Sequence, residues 1–182
     1  EITRDIAKKF NNDFNCDGFL KIPEPFIQKE FSRIMSLKDG NKKMSKSDES
    51  DLSRINLKDS KDVIINKIKK AKTDSLLLPS NKEELKKRPE LENLIGMYCN
   101  LSEEKIDKVI SKFEGKNFSA LKVELSDLII EKICPIGDKI NKLLKEKDHL
   151  MSILKKGSER AEVRAAKKLN EINEKVGFLN IN

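Results

Sequence analysis

The chain has 182 residues, 37% of them hydrophobic and 38% charged, with no Trp, one Tyr and a net charge of +7. That length holds one full domain, or a small one with part of another, and the composition is too apolar for wholesale disorder. The basic balance allows a polyanionic partner without requiring one, and no stretch approaches the roughly 20 apolar residues of a membrane span.

Residues 1–10 read as the end of a helix, with Ile2, Ile6 and Phe10 on one face at i, i+4 spacing. This opening, already helical and without Met, suggests a piece of a longer protein. Asn11, Asn12, Asp13 and Asn15 are expected to break the helix. The stretch GFLKIPEPFI, residues 18–27, alternates apolar positions around two prolines and is expected to be extended or an edge strand. Residues 38–50 carry Gly, Asn, Asp and Ser with no apolar period, which makes them an exposed loop. SRINL, at 53–57, is a candidate short strand.

Beyond Asp59 the pattern is wholly helical. Asp59 or Ser60 is placed to cap a helix bearing Ile64, Ile68 and Ala71. Ser80 and Glu83 have capping-box spacing, and Pro89 suits the first turn of a helix with Leu91, Leu94 and Ile95. Ser102, followed by two glutamates, opens the next, with Ile106, Val109, Ile110 and Phe113 as its apolar face. Phe118, Leu121, Leu125, Leu128, Ile129 and Ile133 line a further helix. Pro135 is expected to interrupt it before Ile136, Ile140, Leu143, Leu144 and Leu150 continue. Gly157 and Ser158 are expected to punctuate the chain ahead of a last helix ending about residue 176. The expectation is a mainly α protein whose larger part is an antiparallel helical bundle with short connections and no internal repeat.

Inside the exposed loop stands KKMSKSDESD, residues 42–51. Most Lys/Ser/Asp loops are solvated charge runs. A phosphate grip needs positive charge, donors and a backbone able to close over the ligand. Lys43 and Lys46 supply two ammonium groups, Ser45 and Ser47 add hydroxyls, and Gly40-Asn41 offers a hinge at the base. A mobile lysine that engages more fully in a transition state than in the ground state lowers the barrier to nucleotidyl transfer. From this chain's own residue frequencies, KMSKS arises by chance on the order of once in a thousand such chains.

Its neighbours sharpen the reading. ITRD (2–5), SRIMSLKDGNKKMSKSD (32–48), INLKDS (55–60) and IKKAKTDS (68–75) occur in order. RPELENLIGMY (88–98), CPIGDKI (134–140) and GSERA (157–161) continue the series. Together they resemble the C-terminal half of the bacterial-type tryptophanyl-tRNA synthetases, a family of class I aminoacyl-tRNA synthetases. RIMSL before the motif and TDS after it favour the tryptophan enzymes over their tyrosyl cousins, which share fold and motif. A third reading, a non-catalytic basic helical RNA-binding module, leaves the pairing of RIMSL with KMSKS unexplained. Gly40 departs from the proline usual in the family, a change expected to loosen the hinge.

The resemblance implies ATP-dependent activation of tryptophan and its transfer to tRNA(Trp), in a cytoplasmic homodimer. Residues 1–57 would be the last part of a Rossmann-type α/β catalytic domain, and residues 58–182 the helical anticodon-binding domain. Lys43, Met44, Ser45, Lys46 and Ser47 would form the nucleotide loop, with Lys43 and Lys46 catalytic and Lys46 the main stabiliser of the pyrophosphate. Ile34 matches the position that meets the adenine. Magnesium would be carried by the ATP phosphates. The family's HIGH-type signature and amino-acid pocket would lie before Glu1, so this chain by itself is expected to be inactive.

Other residues carry less. His149, the single histidine, has no nucleophile or ligand spacing around it and reads as a surface or boundary residue. Asp48, Glu49 and Asp51 read as flanks of the loop ahead of a metal site. Lys155, Lys156, Arg160, Arg164, Lys167 and Lys168 are either a solvated face interleaved with Glu159, Glu162 and Glu171, the preferred reading, or a tRNA-phosphate track. Cys16, Cys99 and Cys134 lack CxxC or Cys/His spacing and are read as reduced thiols of a cytosolic protein.

Overall fold

A computed structural model describes residues 1–27 and 31–178. The elements in order are α1 (Ile2–Asp13), a 3-10 turn (Asp51–Ser53), α2 (Lys61–Lys70), α3 (Lys82–Lys86), α4 (Pro89–Ser102), α5 (Ile106–Phe113), α6 (Phe118–Lys145) and α7 (Lys147–Val176). The protein is mainly α. Among the described residues, β pairing is limited to one isolated antiparallel bridge, Met35 with Lys43. Contacts group the chain into two compact units, Glu1–Ile27 with Glu146–Asn182, and Gln28–Lys145. The units part after residues 27 and 145, whereas the sequence reading set its boundary after Leu57.

In the second unit α4 is the centre. Leu91, Asn93, Leu94, Ile95, Gly96, Met97, Tyr98 and Cys99 are all buried, so the helix is enclosed on nearly every side. Helices α3, α5 and α6 pack on it, and α2 packs on α6. Ile64, Ile68, Leu85, Leu91, Val109, Phe113, Leu121 and Leu125 are each 1% exposed or less. Each such side chain contributes roughly 1.5–3 kcal/mol by leaving water. Charged groups pin the connections. Arg88 donates Nε and Nη2 to the Asp74 carboxylate at 2.8 and 2.6 Å, and Nη1 to the Leu77 carbonyl at 2.7 Å. Burial would raise the Asp74 carboxyl, but these bonds outweigh it and hold it below the usual range. Lys122 of α6 closes the end of α2, donating to the carbonyls of Lys69 and Ala71 at 3.1 and 2.8 Å. Burial lowers its pKa.

Several local expectations shift. The cap of α3 is Asn81, whose Oδ1 accepts the Glu84 N–H at 2.9 Å while its Nδ2 donates to the Glu84 carboxylate. The box therefore sits one residue beyond the Ser80/Glu83 spacing. Ser60 is the N-cap of α2 without a side-chain bond, while the Asp59 carboxylate accepts from the Asn56 N–H and from Lys67. Ser102 ends α4 instead of opening α5, since Glu103 takes the left-handed conformation at φ 59°. Pro135 does not interrupt α6. The bond lost at Pro135 is outweighed by burial on both sides, with Ile129 at 1% exposure and Gly137 seated against the Leu57 carbonyl. SRINL is no strand; its start closes the 3-10 turn.

In the other unit, α1 runs through Asn11 and Asn12 to Asp13. Asn11 is buried inside it, accepting the Leu20 N–H and donating to the Leu20 carbonyl, both at 2.9 Å. Residues 18–27 form no strand. No strand lies beside them among the described residues, and side chains of α1 take that role, Arg4 also donating to the Pro23 carbonyl at 3.0 Å. Phe10 packs on Phe14 and Phe19, and Lys168 of α7 lies 4.2 Å from the Phe19 ring centre. Helix α7 is unbroken through Gly157 and Ser158 and buries no residue. One internal glycine costs only about 1 kcal/mol, which a long helix tolerates.

Two helical glycines give opposite expectations. A Cβ on Gly137 would lie 2.5 Å from the Leu57 carbonyl oxygen, while one on Gly157 would meet nothing within 4 Å. Gly137→Ala should lose about 1–3 kcal/mol despite the better helix former, and Gly157→Ala should gain about 0.5–1 kcal/mol. Urea unfolding of both variants checks the signs.

Candidate functional site

The loop of residues 42–48 is built on a short pairing of backbone. The Ser36 N–H donates to the Lys42 carbonyl at 2.7 Å, and the Met44 N–H to the Ile34 carbonyl at 3.0 Å, flanking the Met35–Lys43 bridge. The N–H and C=O of Met35 then face away, where a third strand would lie in a sheet. Asn93 of α4 occupies that place. Its Oδ1 accepts the Met35 N–H and its Nδ2 donates to the Met35 carbonyl, both at 2.8 Å.

The same helix holds the segment at other points one or two turns apart. Asn100 donates to the Phe31 carbonyl at 3.2 Å. Gly96 leaves room for the Phe31 ring, which a Cβ would meet at 2.5 Å. Gly40 is buried against Pro89 and Glu90, whose backbone a Cβ would meet at 2.5–2.7 Å. Gly40 is therefore a close-packing glycine and not the loose hinge expected. The Glu90 carboxylate pairs with Lys72 at 2.8 Å. That bond keeps the Glu90 carboxyl below its ordinary value against the effect of burial, with the Gly40 amide adding to it, and raises Lys72. The Lys72 N–H in turn donates to the Leu37 carbonyl at 2.7 Å.

The predicted residues divide in a consistent way. Ile34 and Met44 are half-buried, joined through their backbones and packed against the core. Ser45 and Ser47 share a hydroxyl hydrogen bond of 2.9 Å, and the Ser47 N–H also donates to the Ser45 hydroxyl. Lys43 and Lys46 are exposed, and neither ammonium has an ion pair or hydrogen bond with another described residue. An open cleft of about 610 Å³ brings Ile34 together with Arg33, Asn41, Lys86, Lys87 and Glu92. Sequence reasoning missed Asn93, Glu90 and Lys72. The RPELEN string contains two of them, but nothing in the string itself says that they face a loop some fifty residues earlier.

The remaining candidates fall outside this arrangement. Asp48 accepts the Ser50 N–H at 2.8 Å, and Asp51 pairs with Lys67 at 2.7 Å. His149 is exposed on α7. So are Lys155, Lys156, Arg160, Arg164 and Lys167, while Lys168 pairs with Glu171. Cys16 and Cys134 are free thiols, and Cys99 is buried in α4. Among the described residues no helix is long and apolar enough to cross a membrane.

The site is thus a lysine loop paired to a strand-like segment and mounted on a helical bundle. The family model for tRNA synthetases class I (W and Y) matches residues 1–132, and the chain belongs to that family. It is 48% identical over 179 residues to the tryptophan–tRNA ligase of Rickettsia conorii, covering 98% of this chain and 53% of the relative. The tryptophan–tRNA ligase of Caulobacter vibrioides is 47% identical over 178 residues, covering 98% and 52%. The chain thus spans about half the length of the curated relatives it matches. Among solved structures, tryptophanyl-tRNA synthetase from Mycoplasma pneumoniae superposes with a TM-score of 0.79 at 25% identity, over 97% of this chain and 52% of that one. The Campylobacter jejuni enzyme complexed with ADP and tryptophan gives 0.61 at 26% identity, over 96% and 52%.

Asn93→Leu keeps the volume of the buried side chain but leaves the Met35 N–H and C=O without partners. The expected loss is about 2–4 kcal/mol, read by urea unfolding of the unit that contains α4. A loss below about 0.5 kcal/mol would mean that Met35 finds other partners.

Proposed function

We propose that the protein to which this chain belongs activates tryptophan with ATP and transfers it to tRNA(Trp), and that this chain contributes the nucleotide loop. The observation that carries the reading is the pair of exposed ammonium groups of Lys43 and Lys46, without a partner among the described residues, on a loop whose backbone is fixed at its base. The tryptophan branch is supported by the names of the relatives at 44–49% identity.

In this reading a tryptophan carboxylate oxygen bonds to the α-phosphorus, and the bond from that phosphorus to the bridging oxygen breaks. Pyrophosphate leaves with the charge that develops. Lys46 meets that charge, with Lys43 beside it, and both are catalytic. Ser45 and Ser47 offer hydroxyl and amide donors, and Met44 anchors the loop to the core. Ile34, on the wall of the basic cleft, receives the adenine. The site needs no carboxylate cage for magnesium, which arrives on the ATP phosphates. Residues 1–57 belong functionally to the Rossmann-type catalytic domain and residues 58–182 to the anticodon-binding helices, in a cytoplasmic homodimer.

Lys46→Ala in the full-length protein should lower tryptophan-dependent pyrophosphate exchange by about 10²–10³-fold, equivalent to losing roughly 3–4 kcal/mol of transition-state stabilisation. Tryptophan binding should change little. Exchange within a few-fold of wild type would remove Lys46 from the role given to it.

The 182-residue chain alone should not form tryptophanyl-adenylate, because alignment of carboxylate and α-phosphate needs a pocket the loop does not provide. Adenylate formation by the purified chain at a rate near that of the full-length protein would contradict this.

A further inference from the structure

The far root of the loop is held by one guanidinium. Arg54 directs Nη1 to the carbonyls of Asp48 and Ser50 at 2.9 and 3.4 Å, the residues that follow KMSKS. Its Nη2 meets the Asp51 carboxylate at 3.1 Å, and its Nε donates to the Asn56 amide oxygen at 3.3 Å. Arg54 is itself positioned from beneath. Lys67 of α2, 1% exposed, lies 2.7 Å from both Asp51 and Asp59. With Arg54, the two cations and two carboxylates of this group cancel in charge. Lys67 holds the Asp51 carboxyl below its ordinary value, with Asn56 adding to the effect. The Leu37 N–H donates to the Ser53 carbonyl at 2.9 Å, tying this root to the segment that enters the loop.

We infer that Arg54 is a positioning residue for nucleotidyl transfer, fixing the C-terminal root of the loop so that Lys46 swings about a set pivot; the inference rests on the activity proposed above. A planar fork reaches two carbonyls, a carboxylate and an amide at once. A lysine has one donor centre and cannot span them. With the pivot loosened, the loop samples more conformations and fewer of them place the ammonium on the leaving group. The tryptophan subsite does not depend on it.

The test uses Arg54→Lys and Arg54→Ala in the full-length protein, read by amide exchange and by pyrophosphate-exchange kinetics. Asp48 and Ser50 amides should exchange several-fold faster in both variants, with no change in the amides of α4. The kcat should fall about tenfold in Arg54→Lys and further in Arg54→Ala, with KM for tryptophan within twofold of wild type. Where Arg54→Ala does not fold, Arg54→Lys decides alone, since it retains charge and most of the packing. Unchanged amide exchange, unchanged kcat, or a parallel shift in tryptophan KM and unfolding midpoint overturns the inference. A wild-type protein without tryptophan-dependent exchange overturns the activity reading instead, and the amide exchange still decides whether Arg54 anchors the loop.

Discussion

The hydrogen bonds between the Asn93 amide and the two backbone groups of Met35 set the position of the loop. A strand-like segment with one open edge carries unpaired donors and acceptors, and a partner must be found for them when they are buried. Here the partner is one amide side chain on the central helix, presenting a donor and an acceptor at the spacing a peptide group would. The segment can thus be seated on a helix instead of in a sheet. Asn11 does the same for Leu20 in the other unit, so the device occurs twice in one chain. Residues 18–27 read from their sequence as extended or an edge strand, and in both cases a buried asparagine takes the place of a neighbouring strand.

With the base fixed, the composition of the loop follows. Met44, between the lysines, packs half-buried against the core, and the residues on either side point their polar ends outward. Among the described residues, the exposed tip at 45–47 is held by short-range bonds among its serines and to the Asp48 amide. Such a segment opens locally at little cost while its roots stay with the core. This division suits a loop that has to close on a ligand after it binds, because the movement is confined to the part that carries the lysines. Gly40 is part of the root. Its lack of a Cβ lets the backbone approach Pro89, which gives rigidity at the place where the sequence suggested freedom.

The helices were legible because their signals are local. The 3–4 spacing of apolar residues, Pro89 at a first turn and the KMSKS string are all read within a few positions. What was not legible depends on distant partners. Asn93 looks like any asparagine on a helix until Met35 is placed against it. Arg54 sits in a string that resembles a strand, and Lys67 lies among five other charged or polar residues in a lysine-rich helix that hides its burial. The errors at Pro135 and Gly157 have the same origin. Each residue weakens a helix by a fixed local amount, and the surrounding helix, in one case packed and in the other simply long, exceeds it.

The excess of lysine can be understood through partners more than through net charge. Lys67 is buried between two carboxylates, Lys72 is spent on Glu90, Lys112 on Glu124 and the Tyr98 hydroxyl, and Lys122 on the end of α2. Lys112 is accordingly raised, first by Glu124 and then by Tyr98. These four contribute to the positive balance but offer little charge to a ligand, since their ammonium groups already have acceptors. Lys43 and Lys46 differ in having none among the described residues. An ammonium in water can leave its solvent for a phosphate oxygen without first breaking a bond to the protein. That difference, and not the total of +7, is what supports the role proposed for the loop in meeting a polyphosphate.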